Sequence, residues 1–339
     1  MVKEEIYIRK VIVHIMDNMV GMPILSDTPL EFGSEFADFL KEHIYKVAAG
    51  DDSKQCQFYK DQSEIYQMLS EYDDDSFIPM SQALGNALYD IMGKNVEIPS
   101  ADLMIVRFKS GEDEYLALLK MNYKEFYTHR TMSTESGNVN EVIKYKSILP
   151  SESQRLQEAA VINLKTMDVS LIEKKYEVNG EKTNYFSYLF LKCSSRLSDK
   201  TKLNIVTKAV ESIQEANYDE SEQYEVKMRA KAIINETLEE EGGFVVEEIA
   251  ERIFEEKPEL TGAFQETMEK YNMVKEEVKP QSEKTKKKYE KQCLVTDTGI
   301  EIKIPMEQYS NTDSVEFITN DNGTISVLIK NIGYLDAKI

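Results

Sequence analysis

At 339 residues the chain is longer than one ordinary core and suits two or three domains. Hydrophobic residues make up 41%, enough to bury a core, but 61 acidic against 41 basic side chains leave a net charge of −20. Such a surface on average repels nucleic-acid phosphates and acidic membranes, so any DNA-facing region has to be local.

The opening segment, residues 6–15, is rich in β-branched residues and predicts a strand, with a turn near Asp17 and Asn18 and a short strand over 22–25. Phe36, Phe39, Leu40, His43 and Val47 then recur at helical steps behind Ser34 as N-cap, as do Met80, Leu84, Leu88 and Ile91. After Pro99 the period changes. Residues 103–108 and 115–121 flank a polar turn and predict a hairpin. A second hairpin is expected from 126–132 and 139–145 around Glu135-Ser136-Gly137-Asn138, followed by strands over 160–164 and 171–178.

From about residue 200 the stripes are helical: Leu203, Val206, Val210 and Ile213; Val226, Ala230, Ile233 and Leu238; Val245, Ile249 and Ile253; Leu260, Phe264, Met268 and Tyr271, with Pro258 at a helix start. Residues 274–291 are charged and interrupted by Pro280, which predicts an exposed linker. Residues 300–304, 315–319 and 324–329, with a turn at Asp321-Asn322-Gly323, predict a small β unit. The fold class is therefore α+β: N-terminal helices with an antiparallel sheet, a helical C-terminal half and a small terminal β unit. The expected organisation is an α+β domain over 1–200, a helical region over 201–273, the linker over 274–291 and the β unit over 292–339.

Glycine spacing excludes the main nucleotide-binding loops. No two glycines stand two or five residues apart, so neither GxGxxG nor GxxxxGK[ST] occurs. There is no GxSxG elbow, and no histidine begins an HExxH helix. Glu173-Lys174-Lys175 and Glu301-Ile302-Lys303 match the ExK element of metal-dependent nucleases, a pattern that arises by chance in so charged a chain. Asp73-Asp74-Asp75 lacks the glycine of an EF-hand loop and reads as a solvated or helix-terminal run. His14 and His129, in β-like segments, read as structural histidines with satisfied hydrogen bonds. Cys56, Cys193 and Cys293 are dispersed and include no CxxC pair, which predicts reduced thiols rather than a disulfide framework or zinc knuckle. No cofactor, metal or catalytic residue is expected. The first residues lack the pattern of a signal peptide, and no run of about 18 apolar residues exists to span a membrane.

The charge is uneven. Residues 101–200 carry 15 basic and 14 acidic groups, whereas the other residues carry 26 and 47. Lys192, Arg196, Lys200 and Lys202, interleaved with hydroxyl side chains, are the first candidates for phosphate contacts, with an ordinary connecting loop as the alternative. Lys284, Lys286, Lys287 and Lys288 are the second, with a solvated linker as the alternative.

In order and texture the chain resembles the 37-kDa nucleoid-associated proteins of bacteria. The resemblance is carried by the opening β segment with His14, the hairpin over 103–121, and residues 160–164. It continues in the apolar run Asn184-Tyr185-Phe186-Ser187-Tyr188-Leu189-Phe190-Leu191-Lys192 and the strands over 299–304 and 324–330. It implies a cytosolic, nucleoid-associated protein without an assigned catalytic activity. The expected partners are double-stranded DNA, directly or indirectly, and DNA-associated proteins. A homo-oligomer is open and a membrane is not expected. An acidic module that engages basic surfaces of DNA-bound proteins, partly imitating DNA, is the rival reading, and a metal-dependent nuclease a distant third.

Overall fold

Seven antiparallel strands make the central sheet of a computed structural model that describes every residue except 136, 310, 321, 322 and 337–339, and the side chains of Glu220 and Ser221. Ser136 of the first expected turn and Asp321 and Asn322 of the second lie outside the described residues. The chain divides into two compact units, Met1–Ser198 and Asp199–Ile339.

In the first unit the elements run β1 (Ile6–Met16), α1 (Ser34–Ala48), β2 (Lys54–Phe58), α2 (Glu64–Ser70), α3 (Phe77–Met92), β3 (Ala101–Ser110), β4 (Asp113–Asn122), β5 (Lys124–Thr134), β6 (Gly137–Ile148), β7 (Glu158–Asn163), β8 (Asp168–Ile172), β9 (Tyr176–Val178), β10 (Glu181–Thr183), a π-helical turn (Phe186–Leu191) and β11 (Cys193–Ser195). The sheet order is β1-β3-β4-β7-β8-β2-β11. Strand alternation sends Leu103, Ile105, Leu116 and Leu118 to one face, where α3 supplies Leu84 and Leu88 and the π-turn supplies Phe186 and Phe190. Met104, Val106, Ala117 and Leu119 point to the other, under Leu40, Ile44 and Val47 of α1. Helices thus cover both faces, which is why β3 and β4 read as nearly continuous apolar runs.

Several local expectations change. Gly33, not Ser34, occupies the N-cap position of α1, and no side chain caps it. The strand expected over 22–25 is a single bridge between Ile15 and Ile24. His14 is buried: Nδ1 accepts from the Ser26 amide at 3.1 Å, so Nε2 carries the proton toward Ser81 Oγ at 3.1 Å. Burial holds its pKa below the ordinary value. His129, by contrast, is exposed on β5 opposite Val142, in a hairpin whose described residues join neither apolar core of the unit. The Asp73–Asp75 run is tied into the fold. Asp73 and Ser76 exchange hydrogen bonds ahead of α3, and Asp74 pairs with Lys10 and Arg107.

The second unit runs α4 (Asp199–Asn217), α5 (Glu220–Glu240), β12 (Phe244–Val245), α6 (Val246–Ile253), α7 (Glu259–Glu269), β13 (Glu277–Val278), α8 (Glu283–Lys286), β14 (Lys291–Val295), β15 (Glu301–Pro305), α9 (Met306–Tyr309), β16 (Val315–Thr319) and β17 (Ile325–Ile329). Its core joins Val206, Val210, Ile234, Leu238, Ile249 and Phe264. Residues 274–291, expected as an exposed linker, instead contribute to that core. Val278 pairs with Phe244 and is fully buried, and Tyr289 is buried with its hydroxyl 3.0 Å from Thr207. No helix among the described residues is long and apolar enough to cross a membrane.

Candidate nucleic-acid interface

The four residues first expected to contact phosphate divide between the two units, Lys192 and Arg196 in the first, Lys200 and Lys202 in the second. Lys192 ends the π-turn in the left-handed region, φ 51°, with its amide bonded to the Ser187 carbonyl. The preceding turn is fixed by Glu173, which accepts from both the amide and the hydroxyl of Ser187 at 3.0 Å and pairs with Lys54 at 2.9 Å. Glu173, the carboxylate of one ExK match, is therefore a structural cap. The Lys192 ammonium reaches Glu64 at 3.4 Å. Arg196 is exposed at the end of β11, its amide held by the Gln55 carbonyl.

Lys202 is buried and already paired. It is only 9% exposed, its ammonium lies 2.7 Å from Glu276 and donates to the Glu277 carbonyl at 3.0 Å. The pairing follows from the packing of β13 on α4, which buries the lysine stem and leaves its head between Glu276 and, at 3.9 Å, Asp199. Lys200 is half-buried in the first turn of α4 and already engaged within the structure.

The second cluster is built differently. Thr285 and Tyr289, four residues apart, turn inward and anchor α8 and the turn after it. The same spacing turns Lys284, Lys287 and Lys288 outward, where all three are exposed, with Lys286 half-buried. None of the four is ion-paired among the described residues. Lys288 also lines a cavity of about 510 Å³ whose wall includes Lys227 and Lys231. Those two are occupied, Lys227 by Glu215 at 2.7 Å and Lys231 by the Lys291 carbonyl. Burial holds the Lys231 pKa below its ordinary value.

Sequence analysis did not single out the exposed face of the β5–β6 ribbon. It carries exposed Phe126, Tyr127, Val142 and Tyr145, with Lys144 beside Glu125 and over the Tyr127 ring at 5.9 Å. The available signal was the tyrosine interleaved with lysines in Lys144-Tyr145-Lys146.

The second ExK match lies open to solvent, Glu301 paired with Lys303 at 3.4 Å on β15. Among the described residues, no three His, Cys, Asp or Glu side chains gather as a metal site. An opposite pole exists on α5 and α6. Glu236, Glu239, Glu240, Glu241, Glu248 and Glu251 are exposed there, and Arg252 offsets only part of that charge through Glu236 and Glu241.

A comparison with curated proteins gave no match. A family model described as nucleoid-associated protein YejK matches residues 12–335, which spans both units and agrees with the resemblance read from the strands and the apolar run before Lys192. The chain therefore belongs to the family of nucleoid-associated protein YejK and, with it, to the bacterial nucleoid.

Proposed function

We propose that the protein binds nucleoid DNA directly, without a catalytic step, through phosphate contacts made by Lys284, Lys287 and Lys288, with Lys286 at their margin. The observation that carries this reading is the anchored α8 turn. Its cations are held outward, close together in sequence and unneutralised among the described residues, whereas about half of the chain's other lysines and arginines, Lys202 and Arg229 among them, pair with carboxylates. A cation without an intramolecular partner gives up only hydration when a phosphate replaces its water, whereas Lys202 would have to give up Glu276 as well. Contacts of this kind carry no base information and release counterions, so binding is sequence-tolerant and falls steeply with salt.

The test is a salt titration of duplex binding. Replacing Lys284, Lys287 and Lys288 together by Ala flattens the log–log slope by about 0.9 per lost contact, and unrelated duplexes weaken alike. Lys202→Ala leaves the slope unchanged. Absence of wild-type binding at low salt, or an unchanged slope in the triple variant, refutes the reading.

One observation favours a second reading. The glutamate face of α5 and α6 suits a basic protein surface better than DNA, so the protein would reach the nucleoid through DNA-bound proteins. In that case binding to a basic DNA-packaging protein survives the triple lysine substitution and is lost when Glu239, Glu240 and Glu248 become Gln.

A further inference from the structure

We propose that the β5–β6 ribbon is a self-association surface, on which a second copy of this chain docks the same face about a two-fold axis. The register pairs Phe126 with Tyr145, Thr128 with Ile143, Arg130 with Glu141 and Met132 with Val139. Cross-strand partners share a face, so these residues form one stripe, apolar at both ends with an Arg–Glu pair between. Phe126, Tyr145 and Val139 are each more than two-fifths exposed, and Met132 and Ile143 are half-buried.

Among the described residues β5 and β6 pair only with each other, and none from 124 to 148 belongs to an apolar core of the unit. An isolated two-stranded hairpin is marginal in water, and an uncovered aromatic face on one marks an interaction surface.

Charge selects the occupant. Residues 124–148 hold 4 basic and 3 acidic groups, which leaves 37 and 58, or −21, for the rest of the chain. Two copies at −20 each repel almost everywhere, and least where the ribbon faces itself. DNA would want free cations on the stripe, but Arg130 is its single basic group and is held by Glu141 at 2.8 Å. The pattern is also self-complementary. An axis along the ribbon midline lays β5 of one copy over β6 of the other, setting Arg130 against Glu141, Phe126 against Tyr145 and Met132 against Val139. A face roughly 34 Å by 10 Å on each copy covers about 700 Å² in total. That is below the ~1,200 Å² of a permanent interface, so the dimer is concentration-dependent.

Sedimentation velocity of the full chain over a concentration series tests this, with wild type, Arg130→Glu, Glu141→Arg, and the two variants mixed. In each variant alone, like charges meet across the axis and dimerisation weakens by about tenfold or more. In the mixture both inter-copy pairs are attractive and the dimer returns. Each chain keeps its own like-charge strand pair on mixing, so recovery reads the contact between copies and not repair of the hairpin. Phe126→Ser with Tyr145→Ser abolishes the dimer in any mixture. A wild type monomeric at every concentration, variants that dimerise like wild type, or no recovery on mixing overturns the proposal. Loss of duplex binding in the Phe126→Ser/Tyr145→Ser protein with a monomeric wild type assigns the face to nucleic acid instead.

Discussion

Lys120 and Glu158 sit directly opposite on β4 and β7, both fully buried, with the ammonium 3.6 Å from the carboxylate. Removing one partner is expected to cost far more than removing both. At an effective dielectric of about 20, charges at that distance attract by about 4–5 kcal/mol. Taking the two ions out of water costs several kcal/mol each, so the pair is close to neutral in net terms. The satellites are Asn122, which accepts from Lys120 and donates to Glu158 Oε2 at 2.8 Å, and the Pro99 carbonyl, 3.1 Å from the ammonium. Glu158 Oε1 has no hydrogen-bond partner among the described residues.

Lys120→Met therefore strands a carboxylate in the core and costs about 3–5 kcal/mol, whereas Lys120→Met with Glu158→Leu lies within about 1–2 kcal/mol of wild type. Urea unfolding of the four proteins gives the coupling energy. Equal costs for the single and double variants refute the reasoning.

What the sequence made legible follows burial symmetry. β3 and β4 are covered on both faces and read as nearly continuous apolar runs, whereas α3 keeps a helical period. β2, Lys-Gln-Cys-Gln-Phe, buries only alternate positions of a five-residue strand and offered no such run. In 274–291 only a few side chains, Val278, Thr285 and Tyr289 among them, turn inward, too sparsely to interrupt the appearance of a charged linker. The candidate site suffered from distance along the chain. Lysine density located both basic clusters, but nothing local in Lys202 announces Glu276, which lies 74 residues away. Nothing local in Cys56 announces Cys193, brought beside it when β11 pairs with β2. His129 misled because strand-like neighbours predict a sheet and do not say whether a helix covers it.

Two further outcomes check packing. Cys293 is exposed, whereas Cys56 and Cys193 are buried free thiols, and a mutual hydrogen bond and burial push the Cys56 pKa up. A maleimide should therefore label one thiol quickly and the other two only on denaturation, and three equal rates would contradict the pairing of β11 with β2 that buries them. Gly85 lies inside α3, where an added Cβ would come within 2.9 Å of Leu25 Cδ2, 3.2 Å of Met16 Cε and 3.3 Å of His14 Cδ2. Leu25 and Met16 can swing away, but the His14 ring is pinned by Ser26 and Ser81 and cannot. Overpacking costs about 1–3 kcal/mol, against a helix-propensity gain of about 1 kcal/mol for Ala over Gly. Gly85→Ala should consequently lower stability by about 1 kcal/mol and raise the His14 ring's mobility in NMR relaxation. A stabilised Gly85→Ala protein would mean that α3 and β1 are less closely packed at His14 than these distances require.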